Sequence, residues 1–241
     1  MRLDAYMAEK GLTRSRSLAA SMIKNGQVLV NGRPASKPAE EVSDGDLVSV
    51  SEGAADRYVS RGGLKLERAL LEFGISVDGL SACDIGASTG GFTDCLLRHG
   101  AAKVFAVDCG RDQLDAKLKG DERVVSLEGF NAKELTADIT GTVDAVTMDV
   151  SFISQTKLYP AVRRILRKGG FLISLIKPQF EAGREKIGRN GLVRDRVKRE
   201  RARDGVIEAA REGGFSLIKC IESPIKGGDG NVEYLALFRL E

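Results

Sequence analysis

The sequence predicts an α/β protein, a mostly parallel sheet of seven strands, preceded by a small α+β module. Three observations lead there. From residue 60 onward, short apolar runs of strand length alternate with amphipathic helical stretches, the pattern of a parallel sheet covered by helices on both faces. The first fifty residues have a different rhythm, two short helical stretches followed by a hairpin signal. The charge is blocked rather than uniform. Lys and Arg number 37 against 34 Asp and Glu, a formal net charge of +3, yet residues 1–38 hold seven basic residues against two acidic, residues 39–60 one against six, and residues 184–203 nine against three. Separated basic blocks point to a polyanionic partner.

Composition excludes several classes. Hydrophobic residues make up 42% of 241 residues, enough for a sizeable core and too many for a disordered chain. The longest apolar stretch, Phe171 to Ile176, is one strand long, whereas a membrane helix needs roughly 20 apolar residues. No apolar run opens the chain, so no signal peptide and a cytoplasmic location are expected. Cys83, Cys95, Cys109 and Cys220 form no C-x-x-C pair, and His99 is the one histidine, so no metal site is expected. Cys83, Cys95 and Cys220 fall at apolar-periodic positions, as small core residues do. Catalysis must then rest on Lys, Asp, Glu or a cofactor.

Within the first module, Arg2 to Met7 opens a helix that Gly11 ends. Thr13 can cap a second helix in which Arg14, Arg16 and Lys24 alternate with Leu18, Ala19, Met22 and Ile23, and Asn25-Gly26 stops it. Val28 to Val30 is a strand, Asn31-Gly32 a type I′ turn, and Gly45 to Val50 a further strand. The pattern R-L-D, G-L, S-R-S, G-Q-V-L-V-N-G, K-P and G-D-L-V-S-V resembles an S4 domain, a small RNA-binding module. The resemblance implies docking on structured RNA through the basic second helix and the hairpin, with Arg14, Arg16 and Lys24 meeting phosphates. A solvated basic helix face is the plainer alternative. The expected boundaries are 1–52 for this module, 53–60 for a linker and 61–241 for the second domain; Arg57 and Tyr58 fit either a linker or packing between domains.

In the second domain, Ser60 caps a helix running through Leu64, Leu66, Ala69, Leu70 and Phe73 to Gly74. Strands follow at 82–85, 103–108, 123–127, 144–150, 171–176, 215–221 and 232–240, with helices at 90–98, 154–167 and 195–211. In such sheets ligands bind at the carboxyl ends of the strands. There the loop Asp84-Ile85-Gly86-Ala87-Ser88-Thr89-Gly90-Gly91-Phe92 joins the first strand to a helix. It lacks the lysine of a phosphate-binding P-loop, and Ser88 replaces the second glycine of a nicotinamide fingerprint. S-adenosylmethionine (SAM) fits better. It carries no phosphate for Asp84 to repel, and Asp108 at the next strand end can accept both ribose hydroxyls. The plainer alternative is an ordinary Gly-rich turn. The residues assigned to the cofactor are Asp84, Gly86, Ala87, Ser88, Gly90, Gly91, Phe92, Asp108 and Asp149.

Asp149 and Lys177 end apolar strands, and Glu233 starts the last one. If that strand is antiparallel, all three stand at the ligand edge. Any one alone would be a strand-end charge in solvent. Lys65 sits on a helix whose approach to the site periodicity does not give. S-R-G-G-L-K-L, D-I-G-A-S-T-G-G-F-T-D, M-D-V-S-F-I-S, L-I-K-P-Q-F and N-V-E-Y-L, in this order to the chain end, are similar to the TlyA family. These are SAM-dependent rRNA 2′-O-methyltransferases with an FtsJ-like, Rossmann-like domain, often labelled hemolysins, and the resemblance implies a seven-stranded sheet whose last strand is antiparallel. The resemblance carries a Lys-Asp-Lys-Glu tetrad onto Lys65, Asp149, Lys177 and Glu233, and implies SAM as cofactor, a cytidine in ribosomal RNA as target and the ribosomal subunit as partner. The chain's end resembles the shorter variant linked to the large subunit alone. In this chemistry Lys177 is the base and positioner, Lys65 a second cation on the hydroxyl, Asp149 an orienting carboxylate, and Glu233 a brace. Arg184, Arg189 and Arg194, in the basic segment after Lys177, are further phosphate contacts. A membrane-active cytolysin and a non-catalytic RNA-binding protein are the rival readings. The first predicts an amphipathic membrane segment or secretion signal, which the sequence lacks; the second predicts a broken tetrad.

Overall fold

Two apolar faces of short helices close over a hairpin at the N-terminus. Helices α1 (Leu3–Glu9) and α2 (Arg16–Lys24) bury Leu3, Met7, Ala19, Met22 and Ile23 against Val28 and Val42. Strand β1 (Val28–Val30) pairs antiparallel with β2 (Arg33–Pro34) and β3 (Val48–Val50). Asn31 and Gly32 both have positive φ, 53° and 76°, as a type I′ turn requires. Two expectations are corrected. Ser15, not Thr13, caps α2, its hydroxyl accepting from the Leu18 N–H at 3.2 Å. The strand expected from Gly45 starts only at Val48, because the Asp46 carboxylate accepts from the backbone and hydroxyl of Ser43 and closes a turn.

The computed structural model describes residues 1–13, 15–24, 28–35, 37–50, 57–181, 192–227 and 230–241. The chain divides into two units, Met1–Arg57 and Tyr58–Glu241. Half of the expected linker, residues 53–56, lies outside the described residues, as do Arg14, Asn25-Gly26, Arg184 and Arg189.

The second unit is built on seven strands: β4 (Ser81–Ile85), β5 (Lys103–Asp108), β6 (Val124–Glu128), β7 (Val143–Met148), β8 (Leu166–Ile176), β9 (Phe215–Glu222) and β10 (Tyr234–Leu240). Their order is β6-β5-β4-β7-β8-β10-β9. Strands β4 to β8 are parallel, and β10 runs antiparallel to both β8 and β9. From β4 the chain runs outward through β5 to β6 and then crosses back to β7 on the other side of β4, so the crevice between the carboxyl ends of β4 and β7 is the switch point of the sheet. Alternation along each strand feeds two cores. Cys83, Ile85, Phe105, Val107 and Val146 pack with α7 (Tyr159–Ile165) and α9 (Arg196–Glu212) on one face. Ala82, Val104, Ala106 and Ala145 pack with α3 (Gly62–Phe73) and α4 (Gly91–Arg98) on the other. Cys83 and Cys95 are core residues, whereas Cys220 is only half-buried.

Several boundaries move. Tyr58 is no linker residue. It is 5% exposed, its hydroxyl donates to Glu67 at 3.0 Å, and its ring lies where a Cβ on Gly63 would be, 2.3 Å away. Ser60 does not cap α3: Arg61 is the N-cap, without a side-chain capping bond, and the Ser60 carbonyl accepts from Gly63 N–H. The helix expected over 154–167 is a 3₁₀ turn, Gln155–Leu158, followed by α7. Leu166 already pairs with Val143, the register slips, and pairing resumes at Phe171 against Ala145. Three four-residue helices, α5 (Ala116–Lys119), α6 (Ala137–Thr140) and α8 (Pro178–Glu181), are too short for periodicity to reveal.

Candidate active site

The loop after β4 runs hard against the chain leaving β7. Gly86 has φ +84°, and a Cβ there would sit 2.5 Å from the Asp149 carbonyl oxygen, so only glycine fits. Asp149 N–H donates to Ile85 C=O at 3.0 Å, locking the two strand ends together. Ser88, at φ +49°, donates its N–H to Asp108 Oδ2 at 2.8 Å, while Gly110 N–H donates to Asp108 Oδ1 at 2.7 Å. Asp108 therefore organises the loops that follow β4 and β5.

Asp84 has a different place from the expected one. It is fully buried beneath the loop and accepts from the hydroxyls of Thr93 (2.7 Å) and Thr147 (2.9 Å). Burial, with a smaller push from Asp149, raises its carboxyl from 3.8 to about 7. It ties α4 and β7 to β4 and borders neither cavity described below. Gly90, the N-cap of α4, is likewise structural. A Cβ there would meet Leu118 and Leu114, so its positive φ of 94° serves packing against α5.

Two cavities share Gly86, Ser88, Asp149 and Ser151 as a common wall. The first, about 360 Å³, is mainly apolar, with Val107, Phe130, Val150 and Leu158 beside Asp108. The second, about 280 Å³, is polar and borders Lys65, Asp149 and Lys177 together with Ala87, Gly91 and Phe92. The four expected catalytic residues come together as two ion pairs. Lys177 Nζ lies 2.5 Å from Asp149 Oδ1, and Lys65 Nζ lies 2.5 Å from Glu233 Oε2. Tyr234 pairs with Ile176 in the antiparallel register, which brings Glu233 level with Lys177. Lys65 reaches the pair from the first turn of α3. Glu233 is 2% exposed.

Sequence reasoning missed Ser151 and Glu181. Lys177 Nζ donates to Ser151 Oγ at 2.9 Å. The Glu181 carboxylate accepts from Ser154 Oγ (2.6 Å) and Gln155 N–H (3.0 Å), bracing the Lys177 loop against the Asp149 loop, and burial pushes its carboxyl up. A polar residue two positions after a strand-end Asp was the only hint for Ser151. Of the proposed RNA contacts, Arg16 is exposed on α2, with its guanidinium 3.4 Å from Asp4; Arg194 is exposed just before α9. The Lys24 side chain lies outside what is described. Among the described residues, no cluster of His, Cys, Asp and Glu could hold a metal ion, and no helix is long and apolar enough to cross a membrane.

Comparison with known proteins follows the same division. Residues 58–240 match the family model for FtsJ-like methyltransferase, and residues 1–48 match the S4 domain. Hemolysin A of Brachyspira hyodysenteriae is 47% identical, over 99% of each chain. The 16S/23S rRNA (cytidine-2′-O)-methyltransferase TlyA of Mycobacterium tuberculosis is 43% identical, over 100% of this chain and 90% of that protein. A solved structure from Streptococcus thermophilus, provisionally named a hemolysin, superposes with a TM-score of 0.79 at 43% identity, covering 100% of this chain and 88% of that one.

Proposed function

Since the chain belongs to the FtsJ-like methyltransferases that carry an N-terminal S4 domain, the group that includes TlyA, we propose that it is a SAM-dependent rRNA (cytidine-2′-O)-methyltransferase. The observation that carries this reading is the pair of lysine–carboxylate contacts, Lys177–Asp149 and Lys65–Glu233, beside a cavity that adjoins an apolar one.

The residues fit the cofactor. An apolar cavity of about 360 Å³ with the Asp108 and Asp149 carboxylates in its wall suits a base and its ribose. Gly86 permits close approach of a ligand to backbone. Gly86, Ala87, Ser88, Gly91, Phe92, Asp108 and Asp149 would hold it, with Asp84 and Gly90 supporting them from below. When bound, SAM supplies an electrophilic methyl group on a sulfonium.

The chain's own groups prepare the acceptor. A ribose hydroxyl is a weak nucleophile until its proton is drawn off. Lys177 Nζ, oriented by Asp149 and Ser151, positions the 2′-oxygen and, once it has released a proton to solvent, receives the hydroxyl's proton as the oxygen takes the methyl group. Lys65, anchored by buried Glu233, holds a second positive charge toward the same oxygen as negative charge develops on it. Alignment of the two reactants supplies much of the remaining rate. Residues 1–52 are the docking module on ribosomal RNA, with Arg14, Arg16 and Lys24 on phosphates; Arg184, Arg189 and Arg194 serve the strand near the site. Such a substrate places the enzyme in the cytoplasm, and the large subunit is the first to test.

The test is Lys177→Ala. Methyl transfer to rRNA should fall by about 10²–10⁴-fold, the usual worth of a positioned acid–base group, while calorimetric SAM binding persists. A wild-type rate in this variant would remove Lys177 from the mechanism.

A further inference from the structure

We propose that two cations at the second cavity, Arg61 and Lys226, form a clamp on the phosphodiesters that flank the target ribose. The proposal rests on the methyltransferase reading and adds how the acceptor strand is gripped.

Four cations border this cavity: Arg61, Lys65, Lys177 and Lys226. Lys65 and Lys177 each have a carboxylate at 2.5 Å. Among the described residues, no carboxylate comes within ion-pair distance of Arg61 or Lys226. Among the described residues, the wall therefore carries two cations with no carboxylate opposite them. Unpaired charges of one sign around a concave site focus potential on an incoming anion.

Both unpaired cations are anchored to the tetrad. Arg61 is helical in backbone (φ −59°, ψ −19°) and stands one turn before Lys65, so the two side chains leave the same face of α3. Lys226 adjoins Gly227, which lies so close to Glu233 that a Cβ there would be 2.5 Å from Oε1. Gly227 N–H also donates to Asn231 C=O at 2.9 Å. Arg61 thus stands beside Lys65, and Lys226 beside the segment packed on Glu233.

The number of charges selects the ligand. The amino-acid end of SAM is a zwitterion, with an ammonium beside its carboxylate, and brings no net charge to offset two cations. An internal nucleotide of an RNA strand brings one phosphodiester on each side of its ribose. Contacts of this kind position a strand without reading its sequence.

The experiment compares three full-length proteins: wild type, Arg61→Gln/Lys226→Gln, and the charge-preserving Arg61→Lys/Lys226→Arg. Affinity for protein-free rRNA is measured against salt, with calorimetric SAM binding and the KM for rRNA in methyl transfer. Each lost single-strand phosphate contact lowers the slope of log K against log salt by about 0.7. The neutral double variant should therefore lose about 1.4 from the slope and raise KM about tenfold or more, with SAM affinity unchanged. The charge-preserving variant should recover the slope. An unchanged slope overturns the clamp. Weakened SAM binding in the neutral variant also overturns it, assigning the cations to the cofactor's carboxylate. If wild type transfers no methyl group to any rRNA, the methyltransferase reading fails, and the salt slope still decides whether these residues hold phosphate.

Discussion

Glu233→Ala isolates the buried half of the tetrad. In the native protein the Glu233 side chain is 2% exposed and that of Lys65 10% exposed, 2.5 Å apart. Deleting the carboxylate leaves a largely buried ammonium that borders the polar cavity. Removing one partner of a buried pair costs about 3–5 kcal/mol, and access from the cavity reduces this to about 2–3 kcal/mol. For a unit of this size, each kcal/mol lowers Tm by about 2–4 °C, so thermal unfolding of the full chain at pH 7 should shift down by roughly 4–12 °C. Adding Lys65→Met removes the stranded charge, and the double variant should regain most of the loss while remaining inactive. A single variant as stable as wild type, or a double variant less stable than the single, would refute the view that these groups form a mutually dependent buried pair.

Other outcomes follow from particular contacts. Gly86→Ala places a methyl group 2.5 Å from the Asp149 carbonyl at a backbone angle that disfavours alanine; calorimetry should show at least a tenfold loss of SAM affinity, about 1.4 kcal/mol, and unaltered binding would contradict the tight loop. Gly63→Ala drives a methyl group into the Tyr58 ring and should cost about 1–3 kcal/mol in urea unfolding; a neutral result would return Tyr58 to the linker. Asp84 ionises at about 7 in the fold against an ordinary 3.8. The native state therefore binds more protons than the unfolded chain between these values, and stability should fall as pH rises from about 4 to about 7, then level off. Asp84→Asn should lack this decline, and parallel pH profiles for the two proteins would exclude the assignment.

Much of the fold was legible because its signals are local. Short strands between glycine-ended helices, and Asn31-Gly32 in its hairpin, announce themselves in a few residues each. The strand ends carrying Asp149 and Lys177 were visible for the same reason, as charges closing apolar runs. Lys65 was not placeable from its own helix, because its contact with Glu233 spans 168 positions of sequence and depends on how α3 packs against the sheet. Asp84 was assigned to the cofactor from its place at a strand end. Its burial beneath Thr93 and Thr147 depends on side-chain direction, which a loop pattern does not give. Ser151 and Glu181 stayed hidden because each acts across two loops. Tyr58 was ambiguous because an aromatic after a polar, small-residue stretch has no periodic neighbours; its partners, Gly63 and Glu67, lie five and nine residues on, in the first two turns of α3.

The central claim is methyl transfer to a ribose hydroxyl of ribosomal RNA. The direct measurement incubates the purified full chain with tritiated SAM and isolated small subunits, large subunits or whole ribosomes, then digests the RNA and identifies the labelled nucleoside. The account predicts label in 2′-O-methylcytidine from ribosomal RNA, absent with Lys177→Ala. Label on a base, or none on any particle while SAM binds, would contradict it.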